Sequence, residues 1–304
     1  MTPFAEIDVS AWPIDAVEPL GTKPKHWVTD PFTGMLWLLK ERTVNRRSDG
    51  TWYWKGDDWA ERIGTEVAVA LGLPVAHTEF AFAEVGDDVI RGVISRMVLD
   101  SEESLIHGNE LLADIGVSGR TSHDRAGYTL AAVGAALTGV APPRHEPAGF
   151  SAWDWFAGYP VLDALIGNTD RHQENWAVVA NGGRRLAPSF DHASSLGFLL
   201  DDEDRSRRLA TADSRSRPAA FADRARPRFE NGAHPVEVAA ALAMASFASR
   251  RHWVQAARAL PGLDEIVDRV PSARMSQPAR AFAAAVFARN RSQLLSHPLC
   301  TVSP

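Results

Sequence analysis

The chain has 304 residues, 45% hydrophobic and 23% charged, the balance of an ordinary soluble globular protein with one large or two smaller domains. A net charge of −6 argues against a general nucleic-acid binder, which carries a basic surplus. The single cysteine, Cys300, excludes an internal disulfide and a cysteine-based metal site. The N-terminal stretch lacks the basic-then-apolar order of a secretory signal. The longest apolar-rich run, 127–141, is too short to span a bilayer and reads as a buried helix or helix pair. A cytoplasmic location is therefore expected.

In chain order, "HWVTD" and "GMLWLLKE" flank a "DPFTG" turn and predict a β-hairpin. "DDWAERIGTEVAVALGLP" follows as a helix, with Trp59, Ile63, Val67 and Ala70 at helical spacing. Asp57 or Asp58 is expected to cap its start, and Gly72 with Pro74 to end it. "AHTEFAFAEV" and "DVIRGVISRMV" straddle "GDD" as a second hairpin. Beyond residue 104 helices dominate: one over 151–168, a long Ala-rich stretch over 235–260, and a last one in "PARAFAAAVFARNRSQLLSH". Between them, "NWAVVANGGRRLAPSFD" predicts a short strand pair turning at "NGG". The expected fold class is α+β, with a strand-rich front (1–100) and a helical back (101–304) joined near 97–104. Residues 201–230, an acidic cluster followed by eight arginines, read either as a solvated surface helix and loop or as a segment facing a substrate.

"LIGNTDRHQENWAVV" (165–179) crowds polar groups between apolar runs, and "SFDHASSLG" (189–197) repeats the pattern. Buried polar groups must be satisfied, and a binding site is one way to do so. Asp170 precedes Asn175 by five residues, the spacing of a phosphoryl-transfer loop in which the Asp receives the acceptor's hydroxyl proton and the Asn holds Mg²⁺. Asp191 follows the hairpin as a second hard oxygen ligand. Lys40 ends an apolar strand and needs an acidic helix partner. Helix phase favours Glu66, which shares the face of Ile63 and Ala70. Glu61 lies off that face and could complete a capping box with Asp58.

In this order, "WLLKE", "WAERIGTEVAVALGLPVAHTEFA", "GVISRMV", "LIHGNELL" and "LIGNTDRHQENWAVV…LAPSFDHASSLG" resemble the HipA-like serine/threonine kinases. The resemblance covers about residues 20–200. It implies a two-lobed protein-kinase-like fold, ATP and Mg²⁺ as cofactors, and phosphoryl transfer to a protein Ser or Thr. It makes Asp170 the catalytic base, Asn175 and Asp191 the metal ligands, and Lys40 the nucleotide lysine. It assigns the helix acid to Glu61, against the helix-phase choice of Glu66. No Gly-rich phosphate loop is present; "LGTKPKHW" (20–27) stands in its place, with Lys23 or Lys25 for phosphate contact. Asp191 is followed by His192 rather than Phe-Gly. The front is shorter than in the larger toxin-type members, and no antitoxin partner can be inferred. "LIHGNELL" has two readings, a helix cap by His107 and Asn109 or a role at the lobe junction. Three alternatives remain: a metal-dependent phosphohydrolase using Asp170, His172, Asp191 and His192, a non-catalytic nucleotide-binding module, and a small-molecule kinase.

Overall fold

The computed structural model describes residues 2–17, 25–117, 126–144, 149–229 and 232–298. The strands of the front lobe are β1 (Glu6–Asp8), β2 (Ile14–Val17), β3 (Lys25–Thr29), β4 (Leu36–Glu41), β5 (Val44–Arg46), β6 (Trp52–Trp54), β7 (Thr78–Val85) and β8 (Asp88–Arg96). Six of them form one sheet in the order β1-β7-β8-β4-β3-β2. Both expected hairpins are present, β3 with β4 and β7 with β8, each antiparallel. The sheet gains a parallel edge, β1 on β7, and β5 and β6 form a separate ribbon. Period-2 alternation inside β4 and β8 buries Leu39 and Ile94 on one face, where they meet Val9, Val28 and Ala81. The opposite face receives helix α1 (Asp57–Leu71) through Phe80 and Val93.

Helix α1 ends as expected, at Gly72 in the left-handed conformation (φ 73°). Its start differs from the expectation. Gly56 is the N-cap and no side chain caps it. Asp57 instead accepts from the backbone N–H of Thr43 at 3.2 Å, and Asp58 lies between Arg42 (3.5 Å) and Arg274 (3.3 Å). Both acids tie neighbouring segments to the helix.

The back lobe begins with β9 (Ser104–His107), α2 (Gly108–Asp114) and α3 (Leu130–Ala136). The single helix expected over 151–168 is two, α4 (Ala152–Phe156) and α5 (Gly158–Ile166). Pro160 is the reason: it has no N–H to offer the carbonyl of Phe156. Strands β10 (Ala177–Ala180) and β11 (Arg184–Leu186) form the predicted hairpin, and β10 also pairs with β9. Then come α6 (Asp202–Ala210), α7 (Pro218–Ala222), α8 (His234–Met244), α9 (Phe247–Ala259), α10 (Asp264–Val267) and α11 (Gln277–Ser296). The Ala-rich stretch is likewise broken, where Ser246 caps α9 by accepting from the N–H of Ser249.

One core joins the lobes. Trp59 and Ile63 of α1, Phe80 of the sheet, and Phe156, Leu165 and Trp253 of the helices belong to it and are almost fully buried. Among the described residues no helix is long and apolar enough to cross a membrane.

His234, at the first position of α8, is buried. Burial pushes its imidazole down to about 4 from 6.5, against the pull of Asp163 and helped by Arg226. The unfolded chain therefore binds the extra proton between pH 6.5 and 4, and stability falls as pH drops through that window. The expected contribution is about 1.4 kcal/mol for each pH unit crossed. Urea titrations at pH 7 and 5 check it, and His234→Gln should flatten the difference; an unaltered pH slope in that variant contradicts it.

Candidate active site

Between the lobes lies a cavity of about 350 Å³, walled by the sheet through Trp27, Leu38 and Lys40 and by the back lobe through Asp170, Asn175 and Asp191. Strand register brings the first group together. Lys40 on β4 stands opposite Lys25 on β3 and Val93 on β8, and all three line the cavity.

Lys40 is the hub. Its Nζ lies 3.7 Å from Glu61 Oε1 and 3.5 Å from Asp191 Oδ1. Burial pulls the ammonium down, but the carboxylates of Asp191 and Glu61 outweigh it and push Lys40 up to about 12. Glu61 is itself 1% exposed, and its Oε2 accepts the backbone N–H of His192 at 2.6 Å. One carboxylate thus binds the sheet's lysine and the segment carrying Asp191. The choice of Glu66 from helix phase is corrected: Glu66 is bonded to Arg62 and, at 3.0 Å, to Arg269. The phase argument fails because α1 is packed on nearly all sides. Its buried residues include Asp57, Asp58, Glu61, Arg62 and Thr65 beside the apolar ones, while Ala70 is exposed. A helix sandwiched between sheet and back lobe has no single polar face to read.

The loop bearing Asp170 is held by Asp163, an acid inside the otherwise apolar α5. Asp163 takes Arg171 Nε and Nη2, both at 2.9 Å, and the amide of Asn168 at 2.8 Å. Burial opposes the Arg171 charge, and Asp163 more than restores it. Arg171 Nη1 reaches the carbonyls of Asn175 (2.8 Å) and Phe190 (3.2 Å). It therefore fixes the Asp170 loop against the segment leading to Asp191. Asn175 Nδ2 donates to the Asp170 carbonyl at 2.7 Å, which makes its Oδ1 the atom able to ligate. Asp191 adopts φ 60°, an uncommon conformation for a non-glycine residue.

"LIHGNELL" braces the same loop. His107 donates from Nδ1 to the Glu174 carbonyl at 2.9 Å, and the N–H groups of Gly108 and Asn109 reach Trp176 and Gln173 carbonyls, each at 2.9 Å. A Cβ on Gly108 would stand 2.1 Å from the buried Trp176 ring, so only glycine permits this approach. His107 is also the N-cap position of α2, with its N–H bonded to Glu110.

Asp191 and Asn175 supply a carboxylate and an amide oxygen to one cavity. That hard-oxygen donor set fits Mg²⁺. The alternative transition-metal set is not assembled. His192 turns away from the cavity into the core, where its Nε2 meets Ser189 Oγ at 2.9 Å. Among the described residues no three His, Cys, Asp or Glu side chains form a metal cluster. Residues 20–24, with Lys23, and Cys300 lie outside the described residues. Sequence reasoning passed over Asp163 and Arg228, whose guanidinium bonds Asp170 Oδ1 at 2.8 and 3.1 Å. A lone acid in an apolar helix was the available signal for Asp163; for Arg228 it was membership of the arginine-rich 201–230 stretch, one reading of which faced a substrate.

No family model matches the chain, and a search of curated proteins finds no match. Solved structures do match. The Helicobacter pylori proinflammatory kinase CtkA aligns over 98% of this chain and all of its own, at 17% identity and a TM-score of 0.72. HipA, from the Shewanella oneidensis MR-1 complex with HipB and operator DNA, aligns over 97% of this chain and 68% of its own, at 12% identity and a TM-score of 0.53. The fold is that of the HipA-like kinases. In this HipA-like fold the strand-rich lobe and the helical lobe enclose the cavity just described.

Removing Asp163 would leave Arg171 buried without its counter-charge. Asp163→Ala should therefore cost about 3–5 kcal/mol of stability. A urea titration measures it; a loss below about 1 kcal/mol, the worth of a surface pair, contradicts the bracing role.

Proposed function

We propose that the chain is an ATP- and Mg²⁺-dependent kinase that transfers the γ-phosphate to a hydroxyl, with a protein Ser or Thr as acceptor. Residues 1–100 are its nucleotide-holding lobe and 101–304 its catalytic lobe. The observation that carries the reading is the convergence of Lys40, ion-paired with Glu61, on the same cavity as Asp170, Asn175 and Asp191. Each residue type matches a task in phosphoryl transfer, where catalysis is mostly positioning and charge neutralisation.

Lys40 contacts phosphate oxygens, and Glu61 fixes its ammonium there. Lys25, its cross-strand neighbour, adds a second cation at the same wall. Trp27, Leu38 and Val93 give the sheet side of the cavity an apolar surface suited to a base. Asn175 and Asp191 hold the metal. Bound Mg²⁺ supplies charge neutralisation of the transferred group. Asp170 orients the acceptor hydroxyl and receives its proton as the new O–P bond forms and the bond to the leaving ADP oxygen breaks.

Transfer of labelled γ-phosphate tests the roles. Asp170→Asn should lose about 10²–10⁴-fold in rate while still binding nucleotide. Glu61→Gln should lose about 10²-fold through a misplaced Lys40, and Glu66→Gln should lose far less. Wild-type rates in Asp170→Asn would remove Asp170 as the base; equal losses at Glu61 and Glu66 would remove Glu61 as the lysine's partner.

A further inference from the structure

One oxygen of the Asp170 carboxylate is already engaged in this structure. Arg228 spans it, with Nη2 at 2.8 Å and Nε at 3.1 Å, both on Oδ1. Ser194 Oγ lies 3.4 Å from the other oxygen. The contact is built rather than incidental. Pro227 and Phe229, on either side of Arg228, are buried. The Phe229 ring stacks on Tyr128 at 4.6 Å, and the Tyr128 hydroxyl donates to the carbonyl of Arg171 at 3.0 Å. The backbone around Arg228 is thereby fastened to the residue next to Asp170. Its side chain remains 23% exposed and that of Asp170 32%, and ion pairs with that access to water exchange partners at little cost.

Arg228 also ends a run of arginines with few acids to answer them. Arg208, Arg217, Arg224 and Arg226 donate to backbone carbonyls, those of Ser216, Thr211, Arg215 and Asp223 among them. None of the four is ion-paired among the described residues. Of the nearby acids, Asp202, Asp204, Asp213 and Asp223 are taken by Arg205, Arg207, Arg215 and Arg289. A chain of net charge −6 thus presents a local cationic surface on the segment leading to its candidate base.

We propose that Arg228 is a specificity-determining residue that reads an anionic group beside the acceptor hydroxyl. It rests on Asp170 Oδ1 until an acidic side chain of the acceptor takes its guanidinium, and that exchange frees Oδ1 for the hydroxyl. The substrate class is then a Ser or Thr flanked by acidic residues in a protein segment, with the neighbouring arginines receiving further carboxylates. This inference rests on the kinase reading for the meaning of Asp170.

The test is direct binding by fluorescence anisotropy on the full chain, with a labelled serine peptide flanked by glutamates and its lysine-flanked counterpart. Wild type should bind the glutamate peptide about tenfold tighter or more. Arg228→Gln should bring the two peptides within about twofold, and Arg228→Lys should retain part of the preference. Asp170→Asn, which removes the intramolecular competitor for Arg228, should tighten the glutamate peptide by about threefold. A merely structural arginine would weaken both peptides alike and would give no tightening in Asp170→Asn. Equal binding of the two peptides by wild type, or an undiminished preference in Arg228→Gln, overturns the proposal. A single-stranded oligonucleotide of equal charge binding as tightly as the glutamate peptide also overturns it, because the patch would then be a general polyanion surface. Absence of Mg²⁺-ATP stabilisation with the peptide pattern intact would count against the kinase reading and leave Arg228 as the reader of an acidic partner.

Discussion

An ammonium drawn largely out of water has to be matched by carboxylates, and the arrangement around Lys40, whose side chain is 15% exposed, follows from that requirement. Leaving such a charge unpaired in the interior is far more costly than ordering the groups that pair with it. Glu61 and Asp191 come from a front-lobe helix and a back-lobe segment, and they meet at Lys40 on the sheet. Glu61 then uses its second oxygen on the His192 N–H. One ion-pair cluster therefore sets the position of helix, sheet and the Asp191 segment relative to one another. The same contacts leave Lys40 charged throughout the physiological range.

A second buried pair, Asp163 with Arg171, does for the Asp170 loop what Glu61 does for Lys40. Arg171 spends its remaining donors on the carbonyls of Asn175 and Phe190. Asn175 and the approach to Asp191 are thereby fixed from below, while the candidate ligating atoms face the cavity. His107, Gly108 and Asn109 close the loop from the other side through backbone contacts. The Asp170 loop is thus held by a buried ion pair beneath it and by backbone contacts beside it, while the Arg228 contact on Asp170 is only half-buried.

Much of the front lobe was legible because its signals are local. Two hairpins with turn residues between apolar runs, and a helix closed by Gly72, need no distant partner to be specified. The spacing of Asp170 and Asn175 was legible for the same reason, since one loop carries both. Pairings set by the tertiary fold were not legible. The parallel edge of β1 on β7, the addition of β9 to the back-lobe hairpin and the reach of Arg228 to Asp170 all span long stretches of chain. Glu66 was favoured over Glu61 because periodicity assumes one solvent face, and α1 has almost none. Pro160 was visible in the sequence, and its lost donor accounts for the break between α4 and α5.

The central claim is that Lys40, Asn175 and Asp191 form a nucleotide and metal site. Thermal unfolding of wild type and Asp191→Asn with ATP, with and without Mg²⁺, tests it most directly. Ligand at about 100 times its dissociation constant adds about 2.7 kcal/mol, so a Mg²⁺-dependent rise in Tm is predicted for wild type and its loss in Asp191→Asn. A wild-type Tm indifferent to ATP, or an equal rise in both proteins, would contradict the account.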